Sequence, residues 1–178
     1  MSARGLNSVT VFGGRQTRND LSDAIVPVEG FNFIDTYFAG SAVAREVARR
    51  DGFAVELEVG TGAQWGTYLG EDNGTEHVWG AAYLRYDRFP WRGVVRTSVG
   101  ASVGLNVITR DNALERSRNT DEAQSRLQHY FSPEIALALP SRPNVEVLYR
   151  VHHRSGVYGL FCTDCGSNID TLGLRYRF

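Results

Sequence analysis

The dominant pattern along the chain is strict alternation of apolar and polar residues, the period-two signature of strands with two unlike faces. The final segment shows it most clearly. Leu172, Leu174, Tyr176 and Phe178 share one face, and Thr171, Gly173, Arg175 and Arg177 the other. In 145–155, Val145, Val147, Tyr149 and Val151 alternate with Glu146, Leu148, Arg150 and His152. The same phase runs through 127–139, 95–107 and 53–61. Two aromatic-rich stretches, 31–47 and 76–87, are ambiguous in phase, the latter with a bulge expected near Gly80. A short strand around Val9–Phe12 brings the prediction to eight. The helix-like run 43–50 reads equally well as a strand entering a turn at Asp51–Gly52.

The connections between these strands alternate in length. Short turns fall at 50–52, 89–92 and 140–143, and long polar connections at 14–30, 63–75, 108–125 and 156–166. In an antiparallel up-and-down barrel, such alternation gathers the long loops at one end. The short turns and both chain ends then lie at the other, the layout of bacterial outer-membrane barrels. The expectation is an all-β, eight-stranded antiparallel up-and-down transmembrane barrel. It forms one domain over 1–178, with residues 1–6 expected to be disordered.

Alternation alone does not say which face points inward. A soluble lipocalin-like barrel would put the apolar face around a ligand cavity, and a membrane barrel would turn it toward lipid. Composition decides in favour of the membrane. The polar face carries the small residues Ser98, Gly100, Ser102, Gly104 and Gly173, which suit the narrow interior of an eight-stranded barrel. The same face carries both signs of charge: Glu56, Glu58, Glu134 and Glu146 with Arg96, Arg150, Arg175 and Arg177. The chain ends Leu-Arg-Tyr-Arg-Phe, similar to the last strand of outer-membrane proteins. Trp65, Trp79, Trp91, Tyr176 and Phe178 read as interfacial aromatics.

Net charge is −1, so nothing points to nucleic acid, and all 19 basic residues are Arg. No apolar run reaches the length of a transmembrane helix. Residues 1–20 lack the apolar stretch of an export signal, which is attributed to a start set downstream of it. A lone C-T-D-C, Cys162 to Cys165, falls short of a zinc site and sits in a polar loop. It reads as a loop disulfide or two free thiols. No cofactor or metal site is expected.

The unusual positions lie in VHHRSG, 151–156. His153 and Ser155 share the parity of Val147, Tyr149 and Val151, so both are expected on the lipid face, where polar groups are costly. Residues two apart on a strand lie on one face, so the imidazole could take the hydroxyl proton in acyl transfer. Asp170 begins the next strand with the same outward parity, at the same end of the barrel. The bland alternative is that Ser155 and Asp170 merely flank the last loop, with His153 in the headgroup zone. His129, outward near the start of strand six, reads as an interfacial residue or a second substrate contact. His77 has no companion in the pattern.

The H-x-S closing the penultimate strand, followed by an acid early in the last, resembles the outer-membrane lipid A 3-O-deacylase (PagL-type) family. That resemblance implies a cofactor-free hydrolase with a Ser/His/acid triad on the outer wall. Its substrate would be the lipid A of lipopolysaccharide and its other partners the lipids of the outer membrane. Ser155 would be the nucleophile, His153 the general base, and Asp170 would replace the family's Glu. The family's Asn after the serine is Gly156 here, so the Gly156 amide or Asn168 would supply the oxyanion donor. The competing readings are a non-enzymatic structural or adhesive barrel and the soluble barrel, in which Val147, Leu172 and Leu174 would line a cavity.

Overall fold

A computed structural model describes residues 6–26, 30–118, 125–157, 159–163 and 165–178. Its strands are β1 (Asn7–Thr17), β2 (Phe33–Arg50), β3 (Phe53–Tyr68), β4 (Glu71–Asp72), β5 (Thr75–Tyr86), β6 (Arg96–Ile108), β7 (Leu127–Phe131), β8 (Glu134–Ala138), β9 (Val145–Ser155) and β10 (Gly166–Arg177). Two short helices, α1 (Leu21–Ile25) and α2 (Ala113–Arg118), lie in the long connections. Strand β4 pairs only with β3, and β7 and β8 both pair between β6 and β9 as halves of one strand. The remaining order closes through β10 onto β1, from Ser8↔Arg177 to Thr17↔Asn168, giving an eight-stranded antiparallel ring. Closure leaves no sheet edge, the condition for strands to cross a bilayer.

Pro133 interrupts the sixth barrel strand. It has no N–H to give the ladder, so β7 ends at Phe131 and β8 restarts at Glu134. The parity on either side is preserved. The loop-end strands reach further than the sequence pattern indicated: β1 runs to Thr17 and β3 to Tyr68, so the second long connection is largely hairpin. The expected strand at 43–50 is the end of β2. Of the segment expected to be disordered, Leu6 is placed, its carbonyl accepting the Glu46 amide at 2.8 Å; residues 1–5 lie outside the described residues.

The burial pattern is that of a membrane barrel. Leu172 is 66% exposed, and Val147 and Leu174 also stand on the outside, so they line no cavity. The lumen is filled in three layers. Nearest the short turns, Glu56, Glu58, Glu134 and Glu146 meet Arg85, Arg150, Arg175 and Arg177. Glu134 alone receives Arg85, Arg150 and Arg175, the last at 2.6 Å. Above them lies an aromatic layer of Phe12, Phe38, Trp79 and Tyr130, with His77 and His152 against it. Gly60 and Gly62 make room for it: a Cβ there would fall 2.2 Å from the Trp79 indole and 2.4 Å from the Phe38 ring.

Trp79 therefore corrects an expectation. It is 1% exposed, lies inside the barrel, and donates its indole N–H to Glu58 at 3.0 Å. His77 likewise packs edge-on against His152 in the lumen. Trp65, Trp91, Tyr176 and Phe178 do face outward. At the loop end α2 folds into the mouth. Asn112 Oδ1 caps it, accepting the Leu114 and Glu115 amides at 3.0 and 3.2 Å. Glu115 then pairs with Arg154 at 3.1 Å in the top layer of the lumen.

Two substitutions separate the two faces. Glu134→Ala removes the carboxylate shared by three buried guanidinium groups and is expected to cost about 3–5 kcal/mol. Leu172→Arg, on the lipid wall, is expected to cost about 2–4 kcal/mol in a bilayer. Urea unfolding in vesicles measures both, and in detergent only the Glu134 variant should keep its full penalty.

Candidate active site on the outer wall

The site lies where β7, β9 and β10 leave the barrel at the loop end. His153 and Ser155 are on β9, two residues apart on the outer face. Across the ladder, Asn168 of β10 is the direct partner of His153, and His129 of β7 is the direct partner of Ser155. The expected outward cluster of His153, Ser155 and His129 thus forms on adjacent strands. His153 is half-buried: Phe131 stands across from it on β7.

The hydrogen bonds join different pairs from those the sequence suggested. His153 Nδ1 lies 2.6 Å from Asn168 Oδ1. An amide oxygen can only accept, so the ring proton sits on Nδ1, which leaves Nε2 as the basic nitrogen. Asn168 is itself held, its Nδ2 donating to the Asn19 carbonyl at 2.8 Å. Asp170, expected to orient His153, is one step further down the wall. It stands opposite Val151 and accepts from the Tyr149 hydroxyl at 2.7 Å. Both residues share the outward parity; the register of the β9–β10 hairpin sets Asn168, not Asp170, opposite His153.

The expected oxyanion donors are also occupied. The Gly156 N–H donates to the Cys165 carbonyl at 3.2 Å, and the Asn168 side-chain N–H to Asn19. Cys162 and Cys165 form a disulfide, and the loop it closes folds back onto Gly156. A Cβ at Gly156 would fall 2.0 Å from the Cys162 carbonyl oxygen, so the position admits only glycine. The Ser155 Oγ accepts the Val157 amide at 3.1 Å and makes no hydrogen bond to His153 among the described residues. Val157 is held in the left-handed region (φ 49°), where a β-branched residue is strained.

A strap from the first long connection covers the wall below. Ala24 of α1 is fully buried against it, and its carbonyl lies 2.7 Å from the Tyr149 hydroxyl that also reaches Asp170. Val151, outward by parity, is buried beneath the same strap. Arg118 ties the neighbouring connections together, donating to the Arg18 and Gly166 carbonyls. The sequence offered no sign of the strap, because α1 is short and its anchor is a single backbone carbonyl. Among the described residues there is no group of His, Cys, Asp and Glu able to hold a metal.

The architecture places the chain among the eight-stranded barrels of the bacterial outer membrane. No protein-family model matches the sequence, and no curated protein matches it significantly. Among solved structures, the chain is similar to the outer-membrane enzyme PagL, with 13% identity and a TM-score of 0.65 over 96% of this chain and 99% of that one. It is similar to Neisserial surface protein A, with 13% identity and a TM-score of 0.58 over 99% and 100%. It also resembles the N-terminal barrel domain of Pseudomonas aeruginosa OprF, with 15% identity and a TM-score of 0.51 over 99% and 100%. At these identities the likeness establishes the fold.

The strap gives a local test. Tyr149→Phe removes the hydroxyl between Ala24 and Asp170 and is expected to loosen α1 while the barrel stays intact. Amide exchange should rise several-fold over 21–26, with no change in the β1–β10 seam.

Proposed function

We propose that the chain is a serine esterase of the outer leaflet that removes an ester-linked acyl chain from lipid A. The observation carrying this reading is the 2.6 Å contact between His153 Nδ1 and Asn168 Oδ1. It orients an imidazole on the lipid-facing wall, on the same face and strand as a serine. Neither residue type is there for contact with hydrocarbon. The likeness to the outer-membrane enzyme PagL supports the same reading.

The steps follow from these groups. His153 Nε2 takes the Ser155 proton as Oγ attacks the ester carbonyl. It then passes the proton to the departing sugar oxygen, and water releases the acyl chain from Oγ by the reverse of the same transfers. Asn168 holds the imidazole tautomer throughout, as the amide does in Cys-His-Asn enzymes. The Val157 N–H, which donates to Ser155 Oγ at 3.1 Å before substrate binds, turns to the oxyanion as Oγ attacks. The Cα atoms of Ser155 and His153 stand two residues' rise apart, roughly 6–7 Å, and side-chain rotation must bring Oγ and Nε2 together. Catalytic hydrogen bonds commonly tighten only when substrate binds.

A second reading is a non-enzymatic barrel. The engagement of the Gly156 and Asn168 donors within the protein favours it. Mass spectrometry of lipid A separates the two, using cells that export each variant behind a working signal peptide. The wild type is expected to remove one hydroxyacyl mass and Ser155→Ala none. Asn168→Ala should lower the rate by roughly 10²–10⁴-fold, while Asp170→Asn stays near wild type. Unmodified lipid A from a folded wild-type barrel would discard the esterase. Loss of activity on changing Asp170 but not Asn168 would return the orienting role to the carboxylate.

A further inference from the structure

We propose that the opposite end of the barrel carries a binding site for the headgroup of an anionic phospholipid in the inner leaflet. This is independent of the reading of Ser155 and His153. The end is defined by the short turns and by the pairing of both chain ends, with Asn7 N–H donating to the Phe178 carbonyl at 3.0 Å. In outer-membrane barrels the short turns face the periplasm, so this rim meets the inner leaflet.

Two turns are joined there into an open cleft of about 540 Å³. Asp51 and Gly52 have left-handed backbones (φ 51° and 91°) and make the tight β2–β3 turn. The Asp87 amide donates to the Gly52 carbonyl at 3.0 Å. A Cβ at Gly52 would fall 2.5 Å from Arg88 Cβ, so the first turn rests directly on the second. Arginines from both turns are thereby brought to one rim.

The charges of the cleft do not balance. Among the described residues it is lined by five arginines, Arg49, Arg50, Arg88, Arg92 and Arg96, against Glu46, Asp51 and Asp87, an excess of two positive charges. The carboxylates are directed at one side of it. Glu46 grips Arg49 with two bonds of 2.7 Å, Asp87 holds the same guanidinium at 2.9 Å, and Asp51 is 3.4 Å from Arg50. Arg88 and Arg92 are exposed and have no carboxylate partner among the described residues. A phosphodiester supplies the missing acceptor, and the guanidinium fork fits it in two-pronged geometry.

The adjoining wall supplies the rest of a lipid site. Phe89 stacks on Trp91 at 4.9 Å and meets Tyr86 edge-on at 5.2 Å. The Trp91 indole N–H is anchored on Thr97 Oγ1 at 3.0 Å, and Val94 beside it is 81% exposed. This is an interfacial aromatic platform with an apolar face below a cationic rim. The headgroup and the acyl chains of one lipid would meet both.

The test uses the refolded full chain in a zwitterionic detergent, with lipid occupancy read by native mass spectrometry. Phosphatidylglycerol and phosphatidylcholine are compared for the wild type and Arg88→Gln/Arg92→Gln. Arg110→Gln/Arg116→Gln, at the loop end, is the charge-matched control. The gel shift of unheated protein confirms each fold. The expected result is a preference for phosphatidylglycerol that falls roughly 10–30-fold in the turn-end variant and survives in the control. An unchanged preference in the turn-end variant, equal loss in both variants, or no preference in the wild type would overturn the proposal. Displacement of the lipid by millimolar inorganic phosphate would reassign the cleft to free phosphate and overturn it as well.

Discussion

The structure depends on the charge layer around Glu134. Turning every apolar strand face toward lipid leaves eight inward faces to fill a narrow cylinder, and charged side chains there are tolerable only when paired. Among the described residues four glutamates and four arginines do this between β3, β5, β8, β9 and β10, each of those guanidinium groups meeting a carboxylate. Strands distant in sequence are tied together: Arg177 reaches Glu56 at 2.7 Å across the lumen. Such pairs add little net stability over a well-packed apolar core. Their effect is on uniqueness: a slip of one residue in any strand would turn its charges into lipid and leave partners buried alone.

That layer also explains why the two helices behave differently. α2 enters the lumen because Arg154 needs a carboxylate, which Glu115 provides from the loop. Its N-cap, Asn112, and the neighbouring Asn73 join the polar layer that closes the mouth, Asn73 accepting the Ala113 amide at 2.7 Å. α1 has no such charge to offer. It lies outside, fastened to the wall by Tyr149 and Asn168 through backbone carbonyls. The lumen is thus a packed interior, and function is left to the rims and the outer wall.

The inside-out barrel was legible in the sequence because parity is a local property. Leu172, Leu174 and Val147 share a face whatever the neighbouring strand does, and Gly173 with Arg175 and Arg177 identifies the other. The aromatic residues were harder. Trp79 and Trp65 look alike in the sequence, yet one fills the space above Gly60 and the other stacks on Tyr37 outside, at 6.3 Å. Only the phase of 76–87, which its mixed composition hid, distinguishes them. The same limit applies to Arg85 and His77, whose lumen positions follow from that phase. At the candidate site, parity placed His153, Ser155 and Asp170 on one face and pointed to Asp170 as the partner of His153; Asn168, with the same parity, was read only as an oxyanion donor. Register across the disulfide-closed loop decides the partner, and register is a property of the hairpin rather than of either strand.

The position of Asn168 has a chemical consequence. A carboxylate opposite Nδ1 fixes the tautomer and also stabilises the imidazolium that forms when the serine proton moves. An amide does only the first. Among the described residues no carboxylate pairs with His153: Asp170 is directed to Tyr149, and His129 and Asn168 are the ladder neighbours at this end. On the proposed esterase reading, proton transfer to Nε2 would be driven from the substrate side, through contacts to the developing oxyanion or through an anionic lipid headgroup near the forming imidazolium. Under that reading, the amide opposite Nδ1 and an anionic lipid substrate would be parts of one arrangement.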